Sequence, residues 1–201
     1  MKIKYFITIL IVLFMSMKGY SQNEYITGYI ISETNDTIQG LIKDRKPEPF
    51  GKIYKKIKFK SKKSRRRKYG PSDIQGYKIG QDEFVSLWFS ESAEFFKYKT
   101  ESVPGKGEKH FFKLKARGFL SYYHLEYIDD SGLNNRGFFK RENEEAMVSV
   151  RTGLFGLNKK RLKTYFNDCP TLQNKIQDKI ITDPYEIFNF YNEWYEKAKF
   201  D

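Results

Sequence analysis

Apolar and polar positions alternate with a period of two through the first three-quarters of the chain, then switch to a period near 3.6. Between residues 23 and 151, short runs of Tyr, Phe, Ile, Val and Thr are broken by Gly, Asp, Asn and Ser. That pattern predicts antiparallel strands. They fall over 24–32, 37–43, 52–60, 74–79, 83–90, 93–99, 109–115, 118–128, 136–141 and 146–151. The alternation is plainest in 53–60: Ile53, Ile57 and Phe59 share a face with Lys55, while Tyr54, Lys56, Lys58 and Lys60 share the other. Such a strand buries one side and shows water a cationic one. The connections agree. SETND (32–36) suits a hairpin loop in which Asn35 and Asp36 tolerate left-handed dihedrals. VPGKGEK (103–109) and DDSGLNNRG (129–137) carry the signals of longer turns.

From about residue 154 the spacing becomes helical. Leu162, Tyr165 and Phe166 fall at i, i+3, i+4, and Leu172, Ile176 and Ile180 at i, i+4, i+8. Pro170 suits the first turn of a helix, where its missing N–H is harmless. In the last helix Asp183 caps, Pro184 takes the first position and Glu186 reaches back as a capping box. Ile187, Phe188, Tyr191, Trp194, Tyr195 and Ala198 line one stripe, wide enough to need a partner surface.

The fold class expected is therefore α+β: a mostly antiparallel β domain, barrel or sandwich, with a C-terminal helical segment packed on it. Residues 1–21 read differently. Lys2 and Lys4 precede an apolar core of about 13 residues, Tyr5 to Met17, followed by Gly19 and Ser21. This is the layout of a secretory signal peptide, and its core is shorter than the 18 or more residues of a membrane span. The chain divides into a signal peptide (1–21), a β domain (22–152) and a helical segment (153–201). No second apolar run of that length follows, so no transmembrane segment is expected after cleavage. The location expected is periplasmic or secreted.

Charge sharpens the picture. The chain carries 37 basic and 25 acidic residues. Loss of Lys2, Lys4 and Lys18 leaves 34 against 25, or +9, and 11 of those cations lie in residues 52–68 with no acid among them. The basicity is local. Lys62, Lys63, Arg65, Arg66, Arg67 and Lys68 crowd into SKKSRRRK (61–68), next to the cation-faced strand bearing Lys56, Lys58 and Lys60. Together these nine residues are the candidate anion-binding set, with Tyr54, Phe59 and Tyr69 interleaved for stacking. Outside the cytoplasm the anions available are lipid headgroups, acidic envelope polymers or extracellular DNA. The competing reading is a solvated hairpin tip beside an edge strand that lysines guard against pairing with other chains.

Other chemistry is sparse. Cys169 is the single cysteine, so no internal disulfide forms, and the residue reads as a small buried side chain at a helix start. His110 and His124 sit in strand-like stretches as packing or surface residues, with no metal-ligand spacing around them. The chain has no G-x-S-x-G elbow, P-loop or dinucleotide fingerprint. Gly105-Lys106-Gly107 reads as a turn, and Glu142, Glu144 and Glu145 as a solvated connection. Tyr122, Tyr123 and Tyr127 read as cross-strand packing before a ligand groove. No cofactor or metal is implied.

Several phrases recur in order: NDTIQGLI, YGPSDIQGYKIG, LKARGFLSYYHLEY, YFNDCPTLQNKI and FNFYNEWYE. The series resembles a group of small exported proteins of unassigned role from Bacteroidota-type bacteria. That group shows a G-D-T-I-x-G hairpin, a p-x-D-I-x-G-Y strand, and a terminal D-C-P-x-L helix followed by a Y-N pair. Asn35 stands where the group has Gly; Asp168-Cys169-Pro170 and Tyr191-Asn192 keep the pattern. The resemblance implies an envelope or secreted location and supplies no catalytic residue. SKKSRRRK lies outside it.

The function expected is a non-catalytic envelope or secreted interaction module that contacts an anionic polymer or lipid headgroup through the basic hairpin, with an envelope protein as a further partner. Two alternatives stand beside it: a hydrolase or transferase acting on envelope glycan or lipid, and a structural accessory subunit of an outer-membrane assembly.

Overall fold

The computed structural model describes residues 25–45, 47–48, 52–53, 55–61, 65–94, 97–129, 132–151 and 156–199. The signal-peptide segment, Tyr54, Lys62 and Lys63 lie outside the described residues. The strands are β1 Ile26–Ile31, β2 Thr37–Lys43, β3 Pro47–Glu48, β4 Lys52–Ile53, β5 Ile57–Lys60, β6 Arg67–Tyr69, β7 Gly76–Ile79, β8 Asp82–Glu94, β9 Lys97–Glu101, β10 Glu108–Ala116, β11 Leu120–Asp129, β12 Gly132–Arg141 and β13 Ala146–Ser149. Three helices follow: α1 Lys159–Tyr165, α2 Pro170–Gln177 and α3 Pro184–Ala198.

All the pairings are antiparallel, and six strands close into a barrel. The order β10-β11-β12-β13-β9-β8 is sealed by β8 pairing with β10. The long β8 is shared. It pairs with β10 along Glu83–Phe89, with β7 along Asp82–Val85 and with β9 along Ser90–Glu94. From β7 an N-terminal sheet continues as β7-β1-β2-β5-β6. The fold is thus the expected α+β one, and the barrel is its β architecture.

Consecutive aromatics explain the layering. Phe111 and Phe112, Tyr122 and Tyr123, and Phe138 and Phe139 point to opposite sides of their strands, as a period of two requires. Phe112, Phe138 and Met147 fill the barrel with Leu87 and Phe89; Phe89, Phe112 and Phe138 meet with ring centroids 5.4–5.9 Å apart. Phe111 faces outward, to Tyr77 and Phe84 under the N-terminal sheet. Tyr122 and Phe139 face outward to the helices, where Leu162, Phe166, Leu172, Ile187 and Tyr191 cover them.

Caps and turns hold the ends. Asp183 accepts from the Tyr185 N–H at 2.7 Å and completes a capping box with Glu186. Asn192 on α3 clamps the start of β11: its Oδ1 accepts from the Leu120 N–H and its Nδ2 donates to the Leu120 carbonyl, each at 3.0 Å. Asn35 adopts φ 67° in the β1–β2 hairpin, as its residue type predicts. Gly28 and Gly40 face each other across that hairpin. A Cβ on Gly28 would stand 1.9 Å from the Lys78 carbonyl oxygen, and one on Gly40 2.6 Å from the Phe59 ring. Glycine is what lets the neighbouring backbone and ring approach.

Several boundaries differ from the expectation. The 52–60 run divides into β4 and β5, with Lys55 and Lys56 outside both strands. The 74–79 run begins at Gly76, because 71–75 form a turn in which the Asp73 carboxylate accepts from the Gly70 N–H at 2.7 Å. Arg67 and Lys68, expected within the hairpin tip, form β6 with Tyr69 against β5. Ile180 is 63% exposed: Lys179 at φ 59° turns the chain after α2, and Ile181 takes the core position.

Candidate functional site

The solvent side of β2, β5 and β6 gathers the basic residues. Leu41 pairs with Lys60, Lys43 with Lys58, and Lys58 with Lys68. Cross-strand partners share a face. Lys43, Lys58 and Lys68 therefore form a row in register over three strands, spaced by about 4.8 Å, the inter-strand distance. Ile57 and Phe59 on the other face are buried, as the alternation in β5 predicts. Arg66 joins the set by lining a groove of about 390 Å³ with Tyr25, Leu41 and Lys60.

Seven of the nine candidates lie among the described residues and separate by place. Lys58 is half-buried, and Lys60, Arg66 and Lys68 are exposed on the cationic face or at its groove. Arg65 is exposed just ahead of them. Arg67 pairs with Phe59, on the opposite side of the edge strand, and is exposed there. Lys56 lies before β5, with its Nζ 3.9 Å from the Asp73 carboxylate. Among the described residues Lys58, Lys60, Arg65, Arg66, Arg67 and Lys68 have no carboxylate within ion-pair distance. Like charges directly opposed across strands destabilise a sheet by a few tenths of a kcal/mol to about 1. The opposed pair Lys58 and Lys68 therefore costs folding energy and leaves positive charge on this face.

Tyr25, Leu41 and Lys43 belong to this face and were not among the sequence candidates. Alternation in β2 puts Leu41 and Lys43 on one side, but only the strand register sets them against β5.

Two other arginines are arranged in the opposite way. Arg45 follows β2 with its side chain only 6% exposed. Its Nη2 lies 2.6 Å from Glu126 Oε2, its Nε donates to the Tyr77 hydroxyl at 3.1 Å, and its guanidinium stacks 4.8 Å from the Phe84 ring centroid. Burial works against the Arg45 charge, but Tyr77, Asp44 and Glu126 outweigh it and hold its pKa above the usual value. Burial also pushes the Tyr77 hydroxyl well up, and that hydroxyl donates to Asp44 Oδ1 at 2.6 Å.

Arg141, at the end of β12, joins the helices to the barrel. Its Nη2 donates to Asp168 Oδ1 at 2.7 Å and to the Tyr165 carbonyl at 2.9 Å, and Nη1 contacts Glu144 at 2.9 Å. The Tyr191 hydroxyl donates to Asp168 Oδ2 at 2.5 Å. The Tyr165 and Tyr191 rings lie 4.5 and 5.0 Å from the guanidinium carbon, and burial raises both hydroxyl pKa values. Cys169 beside them is fully buried, with its thiol pKa raised by burial, so it packs as the sequence suggests. Glu144 is thus a pairing partner of Arg141, whereas Glu142 and Glu145 are exposed.

The histidines pack. His124 shares a 2.8 Å hydrogen bond with the Tyr122 hydroxyl, and burial, then Lys115, Lys113 and Arg151, lower its pKa to about 4. His110 lies edge-on to Phe89. No group of three His, Cys, Asp or Glu side chains among the described residues is placed to hold a metal ion. Tyr122 and Tyr123 pack against Phe139 and Phe112, while Tyr127 is 42% exposed. No helix among the described residues is long and apolar enough to cross a membrane. Comparison with family models, curated proteins and solved structures finds no match to this chain.

Proposed function

We propose that the protein is an exported, non-catalytic interaction module that meets anionic surfaces of the cell envelope through the solvent face of β2, β5 and β6. The observation that carries the reading is the in-register row Lys43–Lys58–Lys68, flanked by Lys60 and Arg66. An anion laid across the strands meets a cation at each one. Export rests on the layout of residues 1–21, and membership of the Bacteroidota group rests on the ordered phrases. Residues in those phrases do architectural work here: Gly40 admits Phe59, Asp168 holds Arg141, and Asn192 clamps β11.

Heparin serves as a model polyanion for the test. The processed protein is expected to bind it at low salt and to release it steeply as salt rises. Replacing Lys58, Lys60, Arg66 and Lys68 together by Ser is expected to abolish retention while the circular dichroism spectrum stays unchanged. A folded variant that elutes with the parent overturns the reading. N-terminal sequencing of the envelope fraction tests export: a chain starting after Ser21 supports it, and a cytosolic chain keeping Met1 defeats it.

A further inference from the structure

The groove beside the lysine row is lined almost wholly by apolar atoms, although two of its lining residues are cationic. Tyr25 and Leu41 line it together with Lys60 and Arg66. Leu41 is 40% exposed at the centre of a field of like charges. A soluble polyanion gains nothing from that leucine, since its charged groups prefer a wet surface. Tyr25 adds a second anomaly: its hydroxyl is buried with no hydrogen-bond partner among the described residues. Tyrosine combines an apolar ring with a polar tip, the combination that suits a membrane–water interface.

We propose that the face docks on a lipid bilayer by capturing an anionic phospholipid, its phosphate held between Lys60 and Arg66 and its upper acyl segment resting on Leu41 and the Tyr25 ring. Lys58 and Lys68 lie over neighbouring headgroups of the same leaflet. The inference rests on the anion-binding reading above and specifies its ligand as a lipid surface.

Sedimentation of the processed protein with vesicles tests it, using phosphatidylcholine alone and phosphatidylcholine with one-quarter phosphatidylglycerol, in parallel with heparin elution. Binding is expected only to the anionic vesicles, with a loss of about fivefold for each of Lys58, Lys60, Arg66 or Lys68 replaced by Ser. Leu41→Asn is expected to weaken vesicle binding by about fivefold and to leave heparin elution unchanged. Heparin binding without vesicle binding overturns the lipid assignment and leaves the anion-binding face standing. Loss of both ligands by the parent protein overturns both readings. A Leu41→Asn variant that is folded by circular dichroism and retains full vesicle affinity also sinks the lipid assignment.

Discussion

Two arginine-bearing regions of one molecule treat positive charge in opposite ways. Where the helices meet the barrel, Arg141 is surrounded by Asp168, Glu144, the Tyr165 carbonyl and two aromatic rings. On the N-terminal sheet, Lys58, Lys60, Arg66 and Lys68 have no carboxylate partner among the described residues and stand beside one another. A cation removed from water must be compensated by the protein, so the first arrangement belongs to folding. Cations left in water and repelling one another contribute nothing to folding. Their grouping is what the proposed anionic partner rests on.

The difference can be attacked first where charge holds structure. Asp168→Ala leaves Arg141, whose side chain is 7% exposed, with Glu144 as its remaining carboxylate partner, and frees the Tyr191 hydroxyl. Breaking a buried pair costs about 3–5 kcal/mol. Asp168 is itself 40% exposed, so the expected loss is reduced to about 2–3 kcal/mol, read as a fall in the urea midpoint with unchanged slope. A loss below about 0.5 kcal/mol erases the contrast between the regions.

Acid probes the same side from another direction. His124 has its folded-state pKa lowered from 6.5 to about 4, first by burial and then by Lys115, Lys113 and Arg151. The unfolded chain therefore binds the proton more readily over that range. The stability His124 contributes is complete above about pH 6.5 and is lost progressively as pH falls toward 4. His124→Gln is expected to remove that part of the acid slope in urea melts; an unchanged slope refutes the assignment.

The smallest effect on stability is expected where the binding effect is largest. The four-residue Ser variant of the cationic face should unfold within about 0.5 kcal/mol of the parent, or slightly later, because it relieves cross-strand repulsion. If it unfolds more than about 2 kcal/mol earlier, those lysines are structural and the two regions are alike after all.

Legibility in the sequence followed the range of each interaction. The β5 alternation was readable because facing depends only on a period of two, and it placed Ile57 and Phe59 inside and Lys60 outside. The α3 capping box was readable because its donors and acceptors lie within three residues. β6 was hidden: Arg67, Lys68 and Tyr69 form a strand only because β5 offers its edge. Ile180 followed the helical spacing until Lys179 turned the chain at positive φ. The paired aromatics Phe111-Phe112, Tyr122-Tyr123 and Phe138-Phe139 lie on strands with apolar packing on both faces, which the alternation alone did not reveal. Half of the candidate site was visible as a charge run. Tyr25 and Leu41 were not, since nothing local joins them to Lys60 and Arg66.

By itself the sequence determined the change from strands to helices, the inward and outward faces of β5, the capped helix and the concentration of positive charge, because each depends on neighbours a few residues apart. Only the tertiary structure decided that β8 meets β10 to close a barrel, that Arg45 and Arg141 are enclosed, and that lysines from three strands fall into one row. Those outcomes depend on strand register between segments far apart in the chain, and a shift of one residue would have turned every one of those side chains to the other face.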